Sequence, residues 1–482
     1  MPLPAAAPIV DMGIGGRTMR GGIGRALGSG PVTPGLIFAA GLFAFYGAWV
    51  ALWLGDGALY AAALRLYGID PVIVRGYTMP LPFFDLEGVL SWSECARRGI
   101  DVFLTNPCDP IGRPSNYSPL LAHPALGGVG IATTIPLGLA VDAIFLALVP
   151  FVLRPRCWRE IVIGWLAACS PAVLYALERC NIDVIVFAVL ALVILLASPG
   201  WRQRLTYAAG FLLGFIKFYP FCLLALSVRE RWRWFVVLGS GAAAAMAVFL
   251  LLHRHAFAVI AFPGPDWFGD TFSARQLADG IRDLAAIKTP YLNLVLVLPA
   301  GLALAAAWRI STACGAMLPP AAWQERTYLL LLFGALMIVS CFALQSNMYY
   351  RALFLLPVLV GLWQLCDRAG PSLRRLFGWA IAGLVACLWA EMARTSLVLL
   401  AAQFPPGGGR LAAAMAIRIV TLGLREALWW GEISILAGLV LCFLRGAPAV
   451  RDLAGFLGLK YGVSGSGPVV VLAASHDPDR QT

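Results

Sequence analysis

Apolar runs of about 20 residues recur along this 482-residue chain and alternate with short polar segments rich in arginine. A helix needs about 20 apolar residues to cross a bilayer. The runs predict membrane-spanning helices at 34–54, 131–153, 160–177, 182–198, 234–252, 289–308, 327–345, 352–366, 376–391 and 427–444. The pattern therefore predicts an all-α, polytopic integral membrane protein, a bundle of about 11–12 transmembrane helices when a hairpin near residue 215 is counted.

That hairpin is predicted from charge. The segment from Leu205 to Ser227 has the length of about one span, yet arginine clusters flank both of its ends. Because basic loops stay in the cytoplasm, a single crossing would place one cluster on the wrong side. Two short helices that meet at IKFYP, with Lys217 and Pro220 at the tip, keep both clusters inside. Such broken backbone needs surrounding protein or a water-filled cavity.

The same rule orients the rest of the chain in the membrane. The clusters that define the cytoplasmic face lie at 154–159, 202–204, 229–233 and 368–375. We expect a multi-pass protein of the inner (plasma) membrane. It divides into a disordered cytoplasmic tail (1–33), a transmembrane domain (34–445) with a first outer loop and an outer-face amphipathic stretch (55–130), and a cytoplasmic C-terminal tail (446–482).

Composition agrees with a membrane protein and excludes other classes. The chain is 60% hydrophobic and 13% charged, whereas soluble proteins are about 25% charged. The net charge of +11 lies in loops that set orientation and meet anionic headgroups, so we expect membrane lipids and no nucleic acid as partners. The eleven cysteines lack metal-site spacing, and we expect no cofactor, without excluding a divalent metal ion. Cys95 and Cys108 pair if their segment faces an oxidising compartment.

A polar segment from Pro82 to Leu120, here called the polar island, interrupts the apolar pattern near its start. Its ionisable residues are Asp85, Glu87, Glu94, Arg97, Arg98, Asp101, Asp109 and Arg113. Ionisable groups held against membrane helices are costly and point to function. We therefore predict the functional site here.

Further polar clusters fall on the same predicted outer face, which favours a shared cavity. Its expected lining residues are Tyr117, Glu178, Asn181, Asp183, Asn347 and Tyr350. Alternatively, Glu178, Arg179 and Asp183 form local ion pairs around a turn that Asn181 closes. Asp142, inside the run 131–153, is expected to find a partner within the bundle.

Asp85 is the leading candidate for catalysis. A carboxylate beside Phe83 and Phe84 suits a general base, because desolvation disfavours its charged form. Alternatively, Asp85 caps the start of the helix that follows. Glu87 is the second catalytic candidate.

Cations on the outer face suit a phosphate-bearing ligand, since fixed donors stabilise charge that develops on a leaving phosphate. The candidate phosphate-binding residues are Arg179, Lys217, His253, His255 and Arg351. For Arg351 the alternative is an arginine that extends to the interface beside an aromatic belt.

In their order along residues 34–370, short motifs resemble the GT-C superfamily of membrane glycosyltransferases. The closer resemblance is to glycosyltransferase family 87, the polyprenol-phosphate-mannose-dependent α-1,2-mannosyltransferases. The motifs are FFD at 83–85, GIDVF at 99–103, NYSPL at 116–120, ERCNID at 178–183, GFIKFYP at 214–220 and YYR at 349–351. Two departures are NYSPL in place of the commoner Tyr-Pro-Pro form, and Leu86 where a second acid often follows the first.

The resemblance implies an inverting hexosyltransferase that moves a mannose-like sugar from a polyprenyl-phosphate donor to a hydroxyl of a glycolipid or glycan acceptor. It implies that Asp85 deprotonates the acceptor and that Lys217 contacts the donor phosphate, on the periplasmic or exterior face. The residues alone leave other classes open: a lipid or solute transporter or flippase, an enzyme of the O-antigen polymerase or ligase type, or a non-catalytic scaffold. Transporters are often built from repeated halves, and we find no internal repeat.

Overall fold

The computed structural model describes residues 32–72, 80–123, 129–260, 271–285, 290–315, 317–344, 346–403, 408–456, 460–464 and 467–471. The expected N-terminal tail falls almost wholly outside these residues, as do parts of the first outer loop and the end of the chain after residue 471.

Helices supply nearly all of the regular structure in the described residues, which confirms the all-α prediction. The α-helices are α1 (Val32–Gly55), α2 (Gly57–Leu66), α3 (Phe84–Arg97), α4 (Thr134–Leu153), α5 (Trp158–Ala168), α6 (Pro171–Arg179), α7 (Ile182–Leu196), α8 (Pro199–Gly214), α9 (Trp232–Leu252), α10 (Arg254–Val259), α11 (Gln276–Ala285), α12 (Val297–Gly315), α13 (Arg326–Leu344), α14 (Leu355–Arg368), α15 (Pro371–Ala401), α16 (Gly408–Arg445) and α17 (Pro448–Phe456). Short 3₁₀ helices cover Pro119–Ala122, Ile131–Thr133, Tyr219–Arg229, Pro290–Leu296, Pro320–Gln324 and Tyr349–Phe354. Two small antiparallel ribbons pair β1 (Thr271–Phe272) with β2 (Asn347–Met348) and β3 (Lys460–Ser464) with β4 (Gly467–Val471).

Eight helical segments of the described chain are long and apolar enough to cross a membrane, and α5 with α6 make a ninth if they form one bent span. Shorter apolar helices are α2, α7 and Tyr219–Arg229. The protein is therefore a polytopic membrane protein.

The predicted single helix over 160–177 is wrong. The chain bends by 49° between α5 and α6. Ser170 caps the new helix by accepting from the Val173 N–H, and Pro171 occupies its first turn. Proline lacks the N–H that a continuous helix needs, so the apolar run divides there.

The end of the bundle also differs from the prediction. Helix α15 continues to Ala401 instead of ending near 391, and α16 begins at Gly408 instead of 427. The first half of α16 therefore extends the helix ahead of the predicted span. Arg425 in that half is buried and pairs with Glu391 of α15 at 2.8 Å, so its charge is neutralised inside the bundle.

The core is centred on α7, α13 and α14. Most of α13 is buried (72%), against 6% of the peripheral α9. Phe187, Phe333 and Phe354 meet there with ring centroids 5.8–6.3 Å apart. Inside a bilayer, helices associate through close van der Waals packing, so this cluster joins the helices that carry the site.

The predicted hairpin is observed as two short helices that pack side by side, α8 and the 3₁₀ helix Tyr219–Arg229. Their distant ends meet where Arg204 pairs with Glu230 at 2.9 Å. The legs are about 24 and 22 Å long, less than the bilayer core of about 30 Å. Both arginine-flanked ends therefore lie at one end of the bundle, and Lys217 lies at the tip.

Candidate functional site

Helix α3 is placed by an unusual residue at its start. Phe83 adopts a left-handed conformation (φ 60°) and is the N-cap residue, so Asp85 is not the cap. The Phe83 N–H donates to the Glu178 carbonyl at 2.6 Å, and its ring lies where a Cβ on Gly138 of α4 would be. These contacts hold Asp85 in the first turn of α3.

A cavity of about 730 Å³ lies beside that first turn. Its walls come from α3, from the loop after it, from α6, and from segments near residues 260 and 350. The polar and aromatic residues that matter for chemistry are Asp85, Trp92, Arg113, Tyr117, Arg179 and Tyr350. The cavity therefore combines one carboxylate, two guanidinium groups and aromatic rings.

Asp85 is accessible and held in a defined position. About a fifth of its side chain (21%) is exposed. One carboxylate oxygen accepts from Nδ2 of Asn181 at 2.5 Å, and the other lies 3.8 Å from Nη1 of Arg113. These partners hold the carboxylate at the wall of the cavity.

Arg113 lines the cavity although, like Trp92, it was not among the predicted site residues. Its guanidinium donates to Asp109 at 2.7 and 3.0 Å and to the Phe84 carbonyl at 2.9 Å, and it lies 3.5 Å from the centre of the Phe84 ring. Gly88 makes room for it, because a Cβ there would lie 2.9 Å from Nη2. The spacing of Asp109 and Arg113 in a turn-rich segment was the available signal.

Glu87, the second catalytic candidate, does not line the cavity. Its side chain is buried, and burial together with nearby Asp109 raises its pKa above the usual value.

Behind the cavity wall, Asp183 collects three donors. Lys217 lies 2.8 Å away, Arg351 lies 3.2 Å away, and the hydroxyl of Tyr219 donates to the same carboxylate. Asp183 and Lys217 are buried. Lys217, a predicted phosphate-binding residue, is therefore paired with a carboxylate of the protein, and its ammonium group does not line the cavity. Arg351 belongs to this cluster rather than to an interfacial belt.

Asn181 connects the buried cluster to the catalytic candidate. Its Oδ1 accepts from Lys217 at 2.6 Å and from the Asp183 N–H at 3.1 Å, the second bond capping α7. Its Nδ2 donates to Asp85 and to the Tyr350 hydroxyl at 2.9 Å, with Tyr117 at 3.3 Å. The ammonium on one side and the carboxylate on the other fix the orientation of the amide.

Arg179 reaches the cavity, and its neighbour Glu178 does not. Nη2 of Arg179 donates to the Asp70 carbonyl at 3.0 Å. Its Nε lies 3.1 Å from Oε2 of Glu178, close enough for an ion pair, but makes no hydrogen bond in the described chain. Glu178 lines a separate apolar groove of about 240 Å³ together with Asp142. No hydrogen bond or ion pair to Asp142 is found among the described residues, and its buried Oδ1 accepts none, so the expected partner is absent there.

The remaining candidates do not line the cavity. Nε2 of His255 lies 2.7 Å from Asp101 at an exposed edge, and that hydrogen bond lowers the pKa of Asp101. His253 packs its ring on Phe249. Asn347 is buried in β2 and donates to the Cys341 carbonyl.

A disulfide joins Cys95 at the end of α3 to Cys108, with a Cα–Cα distance of 5.8 Å. The same loop is held by Asn106, whose Nδ2 donates to Ser91 at 2.9 Å and to the Arg113 carbonyl at 3.0 Å. Both links fix the loop that carries Arg113.

In the described part of the chain, no three or more His, Cys, Asp or Glu side chains are grouped so that they could hold a metal ion. The chain matches no protein-family model, no curated protein and no solved structure.

Proposed function

We propose that this protein is a membrane glycosyltransferase that moves a hexose from a polyprenyl-phosphate donor to a hydroxyl of a glycolipid or glycan acceptor. One observation carries the proposal: an accessible carboxylate, Asp85, shares a cavity with the guanidinium groups of Arg113 and Arg179. Such a transfer needs a base for the hydroxyl and cations for the departing phosphate, next to a bilayer that holds the lipid.

In the proposed reaction, Asp85 accepts the proton of the acceptor hydroxyl as its oxygen attacks the anomeric carbon. The bond from that carbon to the phosphate oxygen breaks, and its electron pair leaves with the polyprenyl phosphate. Arg113 and Arg179 stabilise the charge that develops on this leaving group.

The displacement inverts the anomeric carbon. A retaining mechanism commonly uses a second carboxylate as nucleophile. Among the described lining residues Asp85 is the acidic one, because Glu87 is buried and Glu178 faces another groove.

Lys217 positions the base in this proposal and does not bind the donor. Its ammonium holds the amide oxygen of Asn181, which turns the Nδ2 donor toward Asp85. Asp183 neutralises Lys217 and thereby keeps it buried.

We place the cavity on the periplasmic or exterior side of the inner (plasma) membrane. Arginines from the predicted cytoplasmic loops gather at the opposite end, in agreement with the positive-inside rule. The disulfide between Cys95 and Cys108 suits an oxidising compartment. A mannose-like donor sugar follows from the sequence resemblance.

The test is transfer of labelled mannose from polyprenyl phosphate to a membrane glycolipid extract by the purified protein in proteoliposomes. Asp85→Asn should lower turnover by about 10²–10⁴-fold, the usual loss when a general base is removed. Glu94→Gln is the matched control, since Glu94 is an acid on the same helix that pairs with Arg98 and does not line the cavity. Near-native turnover by Asp85→Asn would contradict the proposal, as would movement of the lipid across the bilayer without sugar transfer.

A further inference from the structure

A larger cavity of about 870 Å³ lies at the opposite end of the bundle, between α1, α4, α13 and α14. Its walls are mostly apolar. Several of the wall residues, Leu36, Phe43 and Phe151, are also exposed on the outer surface of the bundle. This cavity, here called the basal groove, is therefore open to the hydrocarbon of the surrounding membrane.

Arginines without acidic partners stand at one end of the basal groove. Arg154 and Arg326 line it, and both Arg154 and Arg202 are electrostatic neighbours of Arg326. No carboxylate of the described chain lies within ion-pairing distance of these three. Arg156, which also lines the groove, is by contrast paired with Glu160 at 2.5 Å. Like charges held together repel each other, and a bound anion removes that cost.

A buried hydrogen-bond donor lines the same groove. Trp363 of α14 is 5% exposed, and its indole N–H has no acceptor in the described chain. A buried donor without a partner is costly, and buried tryptophan N–H groups normally find one. The groove thus presents two free guanidinium groups and a free indole N–H above an apolar channel.

We propose that the basal groove binds an anionic phospholipid. The headgroup phosphate lies between Arg154 and Arg326, a lipid oxygen accepts from Trp363, and an acyl chain follows the apolar walls. Guanidinium groups recognise phosphate through paired charge-assisted hydrogen bonds. The apolar walls, open to the bilayer, match an acyl chain and offer nothing to a free phosphate ion. The net positive charge of the basal groove favours an anionic lipid over a zwitterionic one. The groove also lies at the end of the bundle that we expect in the cytoplasmic leaflet, which is rich in anionic lipids.

The test measures binding of phosphatidylglycerol, phosphatidylcholine and inorganic phosphate to the full chain in detergent, by native mass spectrometry and by the shift in Tm. Phosphatidylglycerol should stay bound when the protein enters the gas phase in the mass spectrometer, and it should raise Tm. Phosphatidylcholine and inorganic phosphate should do neither. The double variant Arg154→Gln/Arg326→Gln should weaken phosphatidylglycerol about tenfold or more, since charge-assisted bonds to phosphate are lost.

The matched control is Arg159→Gln/Arg375→Gln, which removes the same charge from exposed arginines that do not line the groove. It should leave phosphatidylglycerol affinity unchanged. Equal weakening in both double variants would mean general electrostatic attraction and would overturn the site. Stabilisation by inorganic phosphate as strong as that by the lipid would also overturn it.

Two single variants keep the test informative if the double variant folds poorly. Trp363→Phe removes one N–H and should weaken phosphatidylglycerol several-fold. Gly35→Leu should also weaken it, because Gly35 lines the groove and a Cβ there meets nothing within 4 Å, so the new side chain occupies the acyl position without a clash. Unchanged lipid affinity in both variants would contradict the proposal.

Discussion

At the scale of single residues, Asp85 stands between a cavity and a buried ionic cluster. One of its oxygens faces the cavity arginine Arg113, and the other accepts from the amide of Asn181. The amide oxygen of Asn181 accepts in turn from Lys217. A change at Lys217 therefore reaches the proposed base through one intervening amide.

Lys217→Met should lower kcat while the KM for the donor changes little, because Lys217 does not line the cavity. The variant should also lose stability, by up to about 3–5 kcal/mol, since it leaves Asp183 buried with one cationic partner fewer. Steady-state kinetics and thermal unfolding measure the two effects.

Lys217→Arg should restore part of kcat, because it keeps the charge with a different geometry. Lys217→Met/Asp183→Asn should not regain the lost stability, because it also removes the carboxylate that neutralises the largely buried Arg351. A raised donor KM with unchanged kcat would instead make Lys217 a phosphate ligand.

Glu87→Gln separates the two catalytic candidates and has a definite pH dependence. Because the pKa of Glu87 is raised by burial and Asp109, folded protein holds the proton more tightly than unfolded protein. Wild-type stability should then fall as pH rises past the ordinary glutamate range. The uncharged glutamine should raise Tm relative to wild type at pH 8, and this gain should vanish near pH 4. A lower Tm at pH 8, or loss of transfer, would count against these assignments.

Much of the candidate site could be anticipated from residue type and predicted face. Asp85, Asn181 and Tyr350 were expected in one cavity, and the structure places all three at or beside it. The pairing of Lys217 with Asp183 was not foreseeable, because contacts across 34 residues depend on how the hairpin docks. Arg113 was named in the polar island without a role, because its contacts with Asp85 and the Phe84 carbonyl depend on how its loop folds back onto α3.

At the scale of elements, the hairpin is the clearest success of charge reasoning. It was predicted because one crossing would misplace an arginine cluster, and the structure joins its ends through Arg204 and Glu230. The bend at Pro171 and the lengths of α15 and α16 were missed. Hydrophobicity along a sequence reports composition, whereas a bend or a buried ion pair such as Arg425 with Glu391 depends on neighbouring helices.

Gly210→Ala tests whether close packing of the two legs holds the hairpin. A Cβ at Gly210 would lie 2.6 Å from Cβ of Leu223, so the variant should lose about 1–3 kcal/mol of stability and some transfer activity. Gly200→Ala on the same helix is the control, because its Cβ meets nothing within 4 Å and alanine favours helix. Equal Tm values for the two variants would contradict close packing of the legs.

At the scale of the whole molecule, the two ends of the bundle differ in chemistry. One end holds the cavity with Asp85, the disulfide and the ionic cluster. The other holds arginines from separate loops, among them Arg154, Arg202 and Arg326. The positive-inside rule predicts that the end with these arginines is cytoplasmic.

Labelling with a membrane-impermeant maleimide tests that orientation. Ile111 lies in the polar island and is 57% exposed, so Ile111→Cys in a Cys157→Ser background should react in intact cells. The wild-type protein serves for the opposite end. Its Cys157 is a free and exposed thiol in the loop beside Arg154 and Arg156, and it should react only after permeabilisation. The reverse pattern would place the cavity in the cytoplasm.

The proposed reaction depends on where the donor phosphate lies, and an electron cryomicroscopy map of the full chain can show it. The ligand is a mannosyl polyprenyl phosphonate whose bridging oxygen is replaced by CH₂, so that transfer cannot occur. We predict its phosphorus within about 4 Å of the guanidinium nitrogens of Arg113 and Arg179, with the anomeric carbon facing Asp85 across the space for a hydroxyl. A phosphate bound in the basal groove, with the cavity beside Asp85 unoccupied, would contradict the account.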